Sequence, residues 1–457
     1  MSARSPSPPS TPESDRNGSK YLDNRAFLLS IAQQQSPGPA QGVYPCDAFL
    51  PEPMASMDKR SNNRDESPAP HPRRILTLFG TRPEVIKLAP VVHAMEARPH
   101  RFLPINVASG QHTDLIQPFA KALNLHVHVD LQVGSEDQTI LELCQRLLAT
   151  LGPLLSHEQP DAILVQGDTT TAFAGALAGF YQRIPVGHVE AGLRSGDPTS
   201  PFPEEMNRRL ITQLASFHFA ATEHNQDALL KEGVPAGRIV VTGNPVVDSV
   251  RWACDHTEPS PRLRALLRQV SADKLILLTT HRRESFGSVM IERLRVLRRF
   301  VDRYVDVSLV FPVHPNPGVR NPARSELSDS PRIHLIEPLG YLDFIHLMSK
   351  AWLIVSDSGG VQEEAPSLGK PLLVIRENTE RPEAIAAGIA RLVGRSARKL
   401  EALLEECYSD SSWIGQVKQM ENPFGSGDSG QRISDALDEL LAAQTAQHGS
   451  TSAERVR

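Results

Sequence analysis

From Arg73 onward, short apolar runs alternate with amphipathic stretches, and that rhythm leaves a chain few folds to choose from. A first series reads RILTLFG, LPINVAS, AILVQGD, IPVGHVE, FHFAAT and RIVVTG. A second reads LILLTT, VSLVFPV, RIHLIEP, WLIVSD and PLLVIR. Between them stand stretches of helical pattern such as PEVIKLAPVVHAMEA, TTTAFAGALAGFYQ and IERLRVLRRFVDRYV. Runs of this length, apolar on both faces and separated by helices, are the mark of buried parallel strands in βα units. The two series break near GNPVVDSV. The expected fold class is therefore α/β: two doubly wound, Rossmann-like domains facing a cleft, residues 73–242 and 243–432.

The ends read differently. Residues 1–72 are rich in Pro, Ser, Asn and Gln, as in SARSPSPPSTPESD and RDESPAPHP. Such a segment buries too little apolar surface to offset its ordering entropy, which predicts a disordered tail with a helical turn or two at most over Tyr21 to Gln33. Residues from about Ala442 are polar and expected to be loose. The whole chain has 457 residues, enough for two domains with length to spare. Its net charge of −5 provides no global basic field for nucleic acid. Cys46, Cys144, Cys254 and Cys407 stand singly, without a CxxC pair or a metal-ligand spacing, so reduced thiols and no metal are expected. No apolar run approaches the roughly 20 residues of a membrane span, and no signal-peptide pattern opens the chain. A cytoplasmic protein without membrane partners is the expectation.

Ligands of open parallel sheets bind at the carboxyl ends of the strands, so the residues after each run matter most. After RILTLFG comes Thr81-Arg82-Pro83-Glu84, then a helix carrying Lys87. Arg82 and Lys87 are candidates for a phosphate near a helix N-terminus, or else a surface pair of cations. After AILVQ comes Gly167-Asp168-Thr169; Asp168 suits either a helix cap or a catalytic carboxylate. Glu190 ends IPVGHVE beside a glycine, and Glu204 opens EEMNRRLITQLA. In the second series, His281-Arg282-Arg283-Glu284 follow LILLTT and His314 follows VSLVFPV. Asp357-Ser358-Gly359-Gly360 follow WLIVS, two glycines that open a helix and let backbone N–H groups approach a phosphate. Glu364 stands one turn on, placed for ribose hydroxyls, and Thr379-Glu380-Arg381-Pro382-Glu383 echoes the first Arg-Pro-Glu.

Taken together, FGTRPEVIKLAPVV, QGDTTTAFAGALAGFYQRIPVGHVEAGLRSGD, SPFPEEMNRR, HRRESFG and DSGGVQEEAPSLGKP resemble the non-hydrolysing UDP-N-acetylglucosamine 2-epimerases, continuously from about Arg73 to about Ile433. The resemblance implies a glycosyltransferase-B type fold with a helix within residues 433–457 crossing back to the first domain. It implies a homodimer, UDP-N-acetylglucosamine as the ligand, and neither a metal nor a nicotinamide cofactor. It places substrate contacts at Arg82, Lys87 and Arg381. Acid/base groups fall at Asp168, Glu190 and Glu204, with His281 beside them. Ser358, Gly359 and Gly360 become the diphosphate cradle, Glu364 the ribose contact and Phe344 the uracil-packing ring. Leu339 stands where relatives can carry a glutamine, which leaves only a backbone contact there. The GQHTDL segment resembles a motif that binds an activating second substrate in some members, but Thr113-Asp114 departs from the longer polar and basic residues expected.

The chemistry implied is reversible inversion of C2 of UDP-N-acetylglucosamine. That C–H bond is not next to a carbonyl, so plain deprotonation is slow. Elimination of UDP to a glycal, then readdition, avoids the difficulty. It needs donors for the departing diphosphate, acid and base on opposite faces of C2, and exclusion of water. The sequence does not say which carboxylate takes the proton. Rivals are a hydrolysing epimerase that releases free N-acetylmannosamine, a UDP-sugar glycosyltransferase of the same fold, and a silent nucleotide-sugar sensor. The SDSGG string also resembles a serine protease motif, but it follows a buried strand of an α/β domain.

Overall fold

The computed structural model describes residues 71–111, 113–270, 274–282 and 285–454, the side chains of 113–115 and 445–454 excepted. The tail up to residue 70, with Tyr21–Gln33 and Cys46, lies outside the described residues, as do His112, Arg283 and Glu284.

Every expected strand forms. In the first half these are β1 (Arg73–Phe79), β2 (Phe102–Ala108), β3 (Val129–Asp130), β4 (Ala162–Gln166), β5 (Val186–Ala191), β6 (Phe217–Ala220) and β7 (Ile239–Val241). In the second they are β8 (Lys274–Thr279), β9 (Val307–Pro312), β10 (Ile333–Ile336), β11 (Leu353–Ser356), β12 (Leu372–Val374) and β13 (Ala390–Leu392). The two strands not expected, β3 and β13, are edge strands of two and three residues. They are half-exposed in part and too short to show a pattern.

The strand orders are β3-β2-β1-β4-β5-β6-β7 and β10-β9-β8-β11-β12-β13, with parallel pairing throughout. Each sheet therefore reverses its winding once, between β1 and β4 in the first and between β8 and β11 in the second. Those reversals open crevices at the strand ends, and the loops after β1, β4, β8 and β11 carry the candidate residues.

The halves are tied together at the back. The helix Arg82–Glu96 contains Pro90, which has no N–H to give the carbonyl of Ile86. Ser249 Oγ, on the helix Val246–His256 of the second half, donates to that carbonyl instead. The last helix runs Ser429–Glu454, starting four residues before the expected 433. Its start is fixed by Asp248, whose carboxylate accepts the N–H groups of Ser429 and Gly430 at 3.2 and 2.9 Å. Gly430 lies against Pro90, where a β-carbon would come within 2.5 Å of the Pro90 carbonyl oxygen. This helix crosses back to the first half, where Asp435 and Asp438 pair with Arg98 and Arg101. Ile433, Leu437 and Leu441 join a core with Val91 and Met95 of the first half and Val247 and Val250 of the second.

None of the described helices is long and apolar enough to cross a membrane. Cys144, Cys254 and Cys407 are free thiols.

Candidate active site

The two crevices face one another across a cavity of about 470 Å³. Of the expected residues, Lys87, Asp168, Glu190, Glu204, Ser358, Gly359, Gly360, Glu364 and Arg381 line it. Arg82, Leu339, Phe344 and His281 do not. Arg82 is exposed, and Leu339 and Phe344 are half-buried against the core shared by the two halves. His281 is exposed and stacks on His314, ring centroids 5.8 Å apart. Partial loss of solvent on its packed side lowers its pKa, Asp357 pulls the other way, and Arg282 and His314 add to the lowering.

Asp168 does not cap the helix that follows it. Thr169 does, accepting the N–H of Ala172 at 3.0 Å, which leaves the Asp168 carboxylate for the cavity. Arg208 holds that carboxylate through Nε at 2.8 Å and Nη2 at 2.7 Å. Arg208 was not among the expected residues. It lies four residues after Glu204, so the two share a helix face, and that spacing was the available signal. Glu205, buried on the same helix, fixes Arg208 from behind at 3.1 Å and accepts the N–H of Ser195. One oxygen of Glu204, Oε2, is buried without a hydrogen-bond partner.

Glu190 adopts a positive φ of 62°, a conformation that costs a non-glycine residue roughly 1–3 kcal/mol. The pairing of β5 with β6 slips at the same point, between Val189 and Ala191. The slip turns the Glu190 side chain toward Lys87 and Gln166, whose Nε2 donates to it at 2.9 Å. Lys87 Nζ touches Glu190 and lies 3.0 Å from Glu363 across the cleft. Glu363 also accepts from Arg381 Nε at 2.7 Å. Sequence reading selected Glu364 from this glutamate pair and passed over Glu363.

The sharing of cations separates the carboxylates. Burial raises all of them, but Glu363 has both Lys87 and Arg381 and is held down at about 2. Glu190 shares Lys87, is repelled by Glu363 and is raised by its burial. Glu364 is raised to about 7 by burial and by Glu363 beside it. Lys87 is disfavoured by burial, but its two carboxylates outweigh that and hold it charged above the usual lysine range. The lower-lying Glu84 is fully buried and accepts from Gly80 N, Thr81 N, Thr81 Oγ1 and Thr169 Oγ1 at 2.7–3.0 Å. It thus ties the loop after β1 to the loop bearing Asp168. Its pKa is raised to about 7, burial prevailing over those hydrogen bonds.

Across the cavity, Ser358, Gly359 and Gly360 open the helix Gly359–Ser367, whose free N–H groups and dipole favour an anion. A β-carbon on Gly359 would stand 3.5 Å from the Arg381 guanidinium and 3.7 Å from Arg282 Nη2. The helix end thus lies between two guanidinium groups, and glycine keeps that space open. Asp357 keeps this loop in place from below, accepting from Thr280 Oγ1 and from the N–H groups of His281 and Arg282. Among the described residues there is no cluster of three or more His, Cys, Asp or Glu suited to a metal. The arrangement is one of carboxylates able to exchange protons, opposite a cradle for a phosphate.

The family model for UDP-N-acetylglucosamine 2-epimerase matches residues 93–438. The UDP-N-acetylglucosamine 2-epimerase of Salmonella typhimurium (strain LT2) is 46% identical over 369 residues, 80% of this chain and 98% of that protein. The UDP-GlcNAc 2-epimerase of Neisseria meningitidis, solved bound to UDP-GlcNAc, superposes with a TM-score of 0.72 at 39% identity, covering 80% of this chain and 99% of its own. The S. aureus protein MnaA, solved with UDP, gives a TM-score of 0.74 at 39% identity over 81% of this chain and 97% of its own. The two facing sheets, the order of the strand-end motifs and a match spanning most of the chain agree: this chain belongs to the UDP-N-acetylglucosamine 2-epimerase family.

Proposed function

We propose that this chain interconverts UDP-N-acetylglucosamine and UDP-N-acetylmannosamine without releasing the sugar, by elimination and readdition of UDP. The observation that carries the reading is the single cavity in which Asp168, Glu190 and Glu204 face the Ser358–Gly360 helix end and Arg381. The helix N-terminus, Arg381 and Arg282 receive the diphosphate and stabilise the charge that grows on it as the C1–O bond breaks. Glu364 serves the ribose. A carboxylate of the first half removes the C2 proton as UDP leaves, giving the glycal. A second carboxylate returns a proton to the opposite face while the UDP oxygen adds back to C1, and exchange of protons with solvent then returns the base to its carboxylate form and the acid to its protonated form.

Two features divide the acid and base roles. Asp168, partly open to solvent and held as an ion pair, is the proton acceptor. Glu190, whose proton affinity burial raises, is the donor. Glu204, with one oxygen unpartnered, orders the sugar hydroxyls. A closed cleft keeps water from the glycal. The uracil contact at Phe344 and a substrate role for Arg82, Leu339 and His281 require those side chains to meet the ligand outside the cavity described here. The homodimer and cytoplasmic location belong to the same proposal, and sedimentation of the purified protein tests the former.

Proton NMR with UDP-N-acetylglucosamine in deuterium oxide tests the reaction. The expected result is UDP-N-acetylmannosamine carrying deuterium at C2. Free N-acetylmannosamine and UDP would move the chain to hydrolysis, and conversion without C2 exchange would remove the elimination step.

A further inference from the structure

The cleft contains a chain of charges that runs from the phosphate cradle to the proton acceptor, and its middle member is Glu380. One oxygen of Glu380, Oε2, accepts from Arg381 Nη1 at 2.9 Å and stands 3.5 Å from Arg208 Nη2. That same Arg208 nitrogen is 2.7 Å from Asp168 Oδ2. Glu380 and Arg381 belong to the second half, Arg208 and Asp168 to the first. The relay therefore crosses the cleft, with Arg381 shared by Glu363 and Glu380 and Arg208 by Asp168, Glu205 and Glu380.

We propose that Glu380 is a positioning residue that couples arrival of the diphosphate to the opening of one of the two Arg208 bonds on Asp168. The inference rests on the epimerase reading above. Its first step is competition for Arg381. The nitrogen that donates to Glu380 is Nη1, and Nη1 stands 3.5 Å from where a side chain on Gly359 would begin. A phosphate oxygen bound at that helix end comes within reach of the same donor and carries more charge than a carboxylate. Its second step is transfer of Glu380 toward Arg208. With its bond to Arg381 taken, the Glu380 carboxylate has Arg208 as the nearer remaining cation, since Arg376 Nη2 lies 3.9 Å from its other oxygen. The third step follows from geometry. Arg208 Nη2 drawn toward Glu380 moves off Asp168, which then keeps only the 2.8 Å bond from Arg208 Nε, so that Asp168 Oδ2 has a lone pair open to the C2 proton. Glu205 anchors Arg208 through Nη1 and is fully buried, so the guanidinium pivots there rather than leaving the site. The device keeps the base engaged until the leaving group is seated opposite, which limits proton removal in the open enzyme.

Glu380→Gln separates this relay from a merely structural role because the two observables move in opposite directions. Without the competing carboxylate, Arg381 Nη1 no longer has a carboxylate partner while Nε stays on Glu363, so UDP measured by isothermal titration calorimetry should bind about threefold tighter or more, while kcat falls about tenfold or more. Glu380→Asp keeps the charge and should recover part of kcat. Should the amide variant fail to fold, Glu380→Ala carries the same opposed signature. UDP binding that is unchanged or weaker, or a kcat within about twofold of wild type, overturns the proposal. A wild-type protein that leaves UDP-N-acetylglucosamine unchanged would sink the epimerase reading instead, and the UDP titrations would still read the competition at Arg381.

Discussion

The two halves have nearly the same sheet order, each with its crevice at the one winding reversal, yet their strand ends present different groups to the cavity. In the first half the loops after β4 and β5 present carboxylates, Asp168 and Glu190, the second in a backbone conformation that glycine would adopt more easily. In the second half the loop after β11 presents backbone N–H groups, two glycines and a flanking arginine. The scaffold thus supplies the same opening twice, and under the proposed function the residues at its lip decide whether it binds an anion or moves a proton. The difference extends to charge. The first half neutralises its own Glu190 with Lys87 and its own Asp168 with Arg208, whereas the second half, where Arg381 holds both Glu363 and Glu380, also borrows those two first-half cations across the cleft.

If the first half performs the chemistry and the second the binding, substitutions should separate the two functions. Asp168→Asn and Glu190→Gln should each lower turnover about a thousandfold or more while UDP affinity stays within about threefold, since the donors proposed for the diphosphate are the helix end and Arg381 of the second half. Turnover by coupled assay and UDP affinity by calorimetry measure the two. A matched fall in both would erase the division of labour.

Lys87 is where the halves meet most closely, and its removal should be the costliest for stability. Lys87→Met leaves Glu190 and Glu363 buried with less compensation. Breaking such a buried pair from one side costs about 3 kcal/mol or more, read as a shift of the urea midpoint. A smaller shift would mean that Glu190 takes up a proton in the variant and that Arg381 alone suffices for Glu363.

The converse of the carboxylate variants is Gly359→Val. Its side chain would grow into the space between the helix end and the Arg381 guanidinium. UDP affinity should fall about thirtyfold, near 2 kcal/mol, with little change in the unfolding midpoint. Loss of stability without loss of affinity would make the glycine a packing residue and not part of a cradle.

Where sequence reasoning succeeded and where it stopped follow the same physical line. The strands were legible because a parallel sheet buried on both faces leaves continuous apolar runs, and the loops were legible because a strand end is fixed in space by its sheet. Asp168, Glu190 and Ser358–Gly360 are all positions of that kind. Arg208, Glu363 and Glu380 are not. Each earns its place by a partner more than a hundred residues away or on another helix, as Arg208 does from Glu380, and a single sequence carries no trace of such pairings. Edge strands β3 and β13 were lost for a different reason, since two or three residues are too few for a period. The start of the last helix was misjudged because its cap, Asp248, lies in another helix entirely.

The smallest expected effect tests whether the two halves are electrostatically alike beneath their different surfaces. Each holds one buried carboxylate raised to about 7, Glu84 in the first and Glu364 in the second. A carboxyl group whose folded pKa exceeds its unfolded value of 4.5 binds more protons folded than unfolded between the two values. Its contribution to stability is therefore fully present below 4.5 and is lost as pH rises through about 7. Glu363, held at about 2, works in the opposite sense only as pH falls below 4.5, so it leaves the upper window untouched. The buried His188 and His218, lowered to about 3 and about 4, add stability as pH rises toward 6.5, so the test is the difference from wild type: between pH 5 and pH 8, Glu84→Gln and Glu364→Gln should each remove a falling component of roughly 1–2 kcal/mol from the urea-midpoint profile. Removal of that component by Glu364→Gln alone would show that the four donors around Glu84 keep it charged throughout, and that the first half, not the second, has the better-satisfied buried carboxylate.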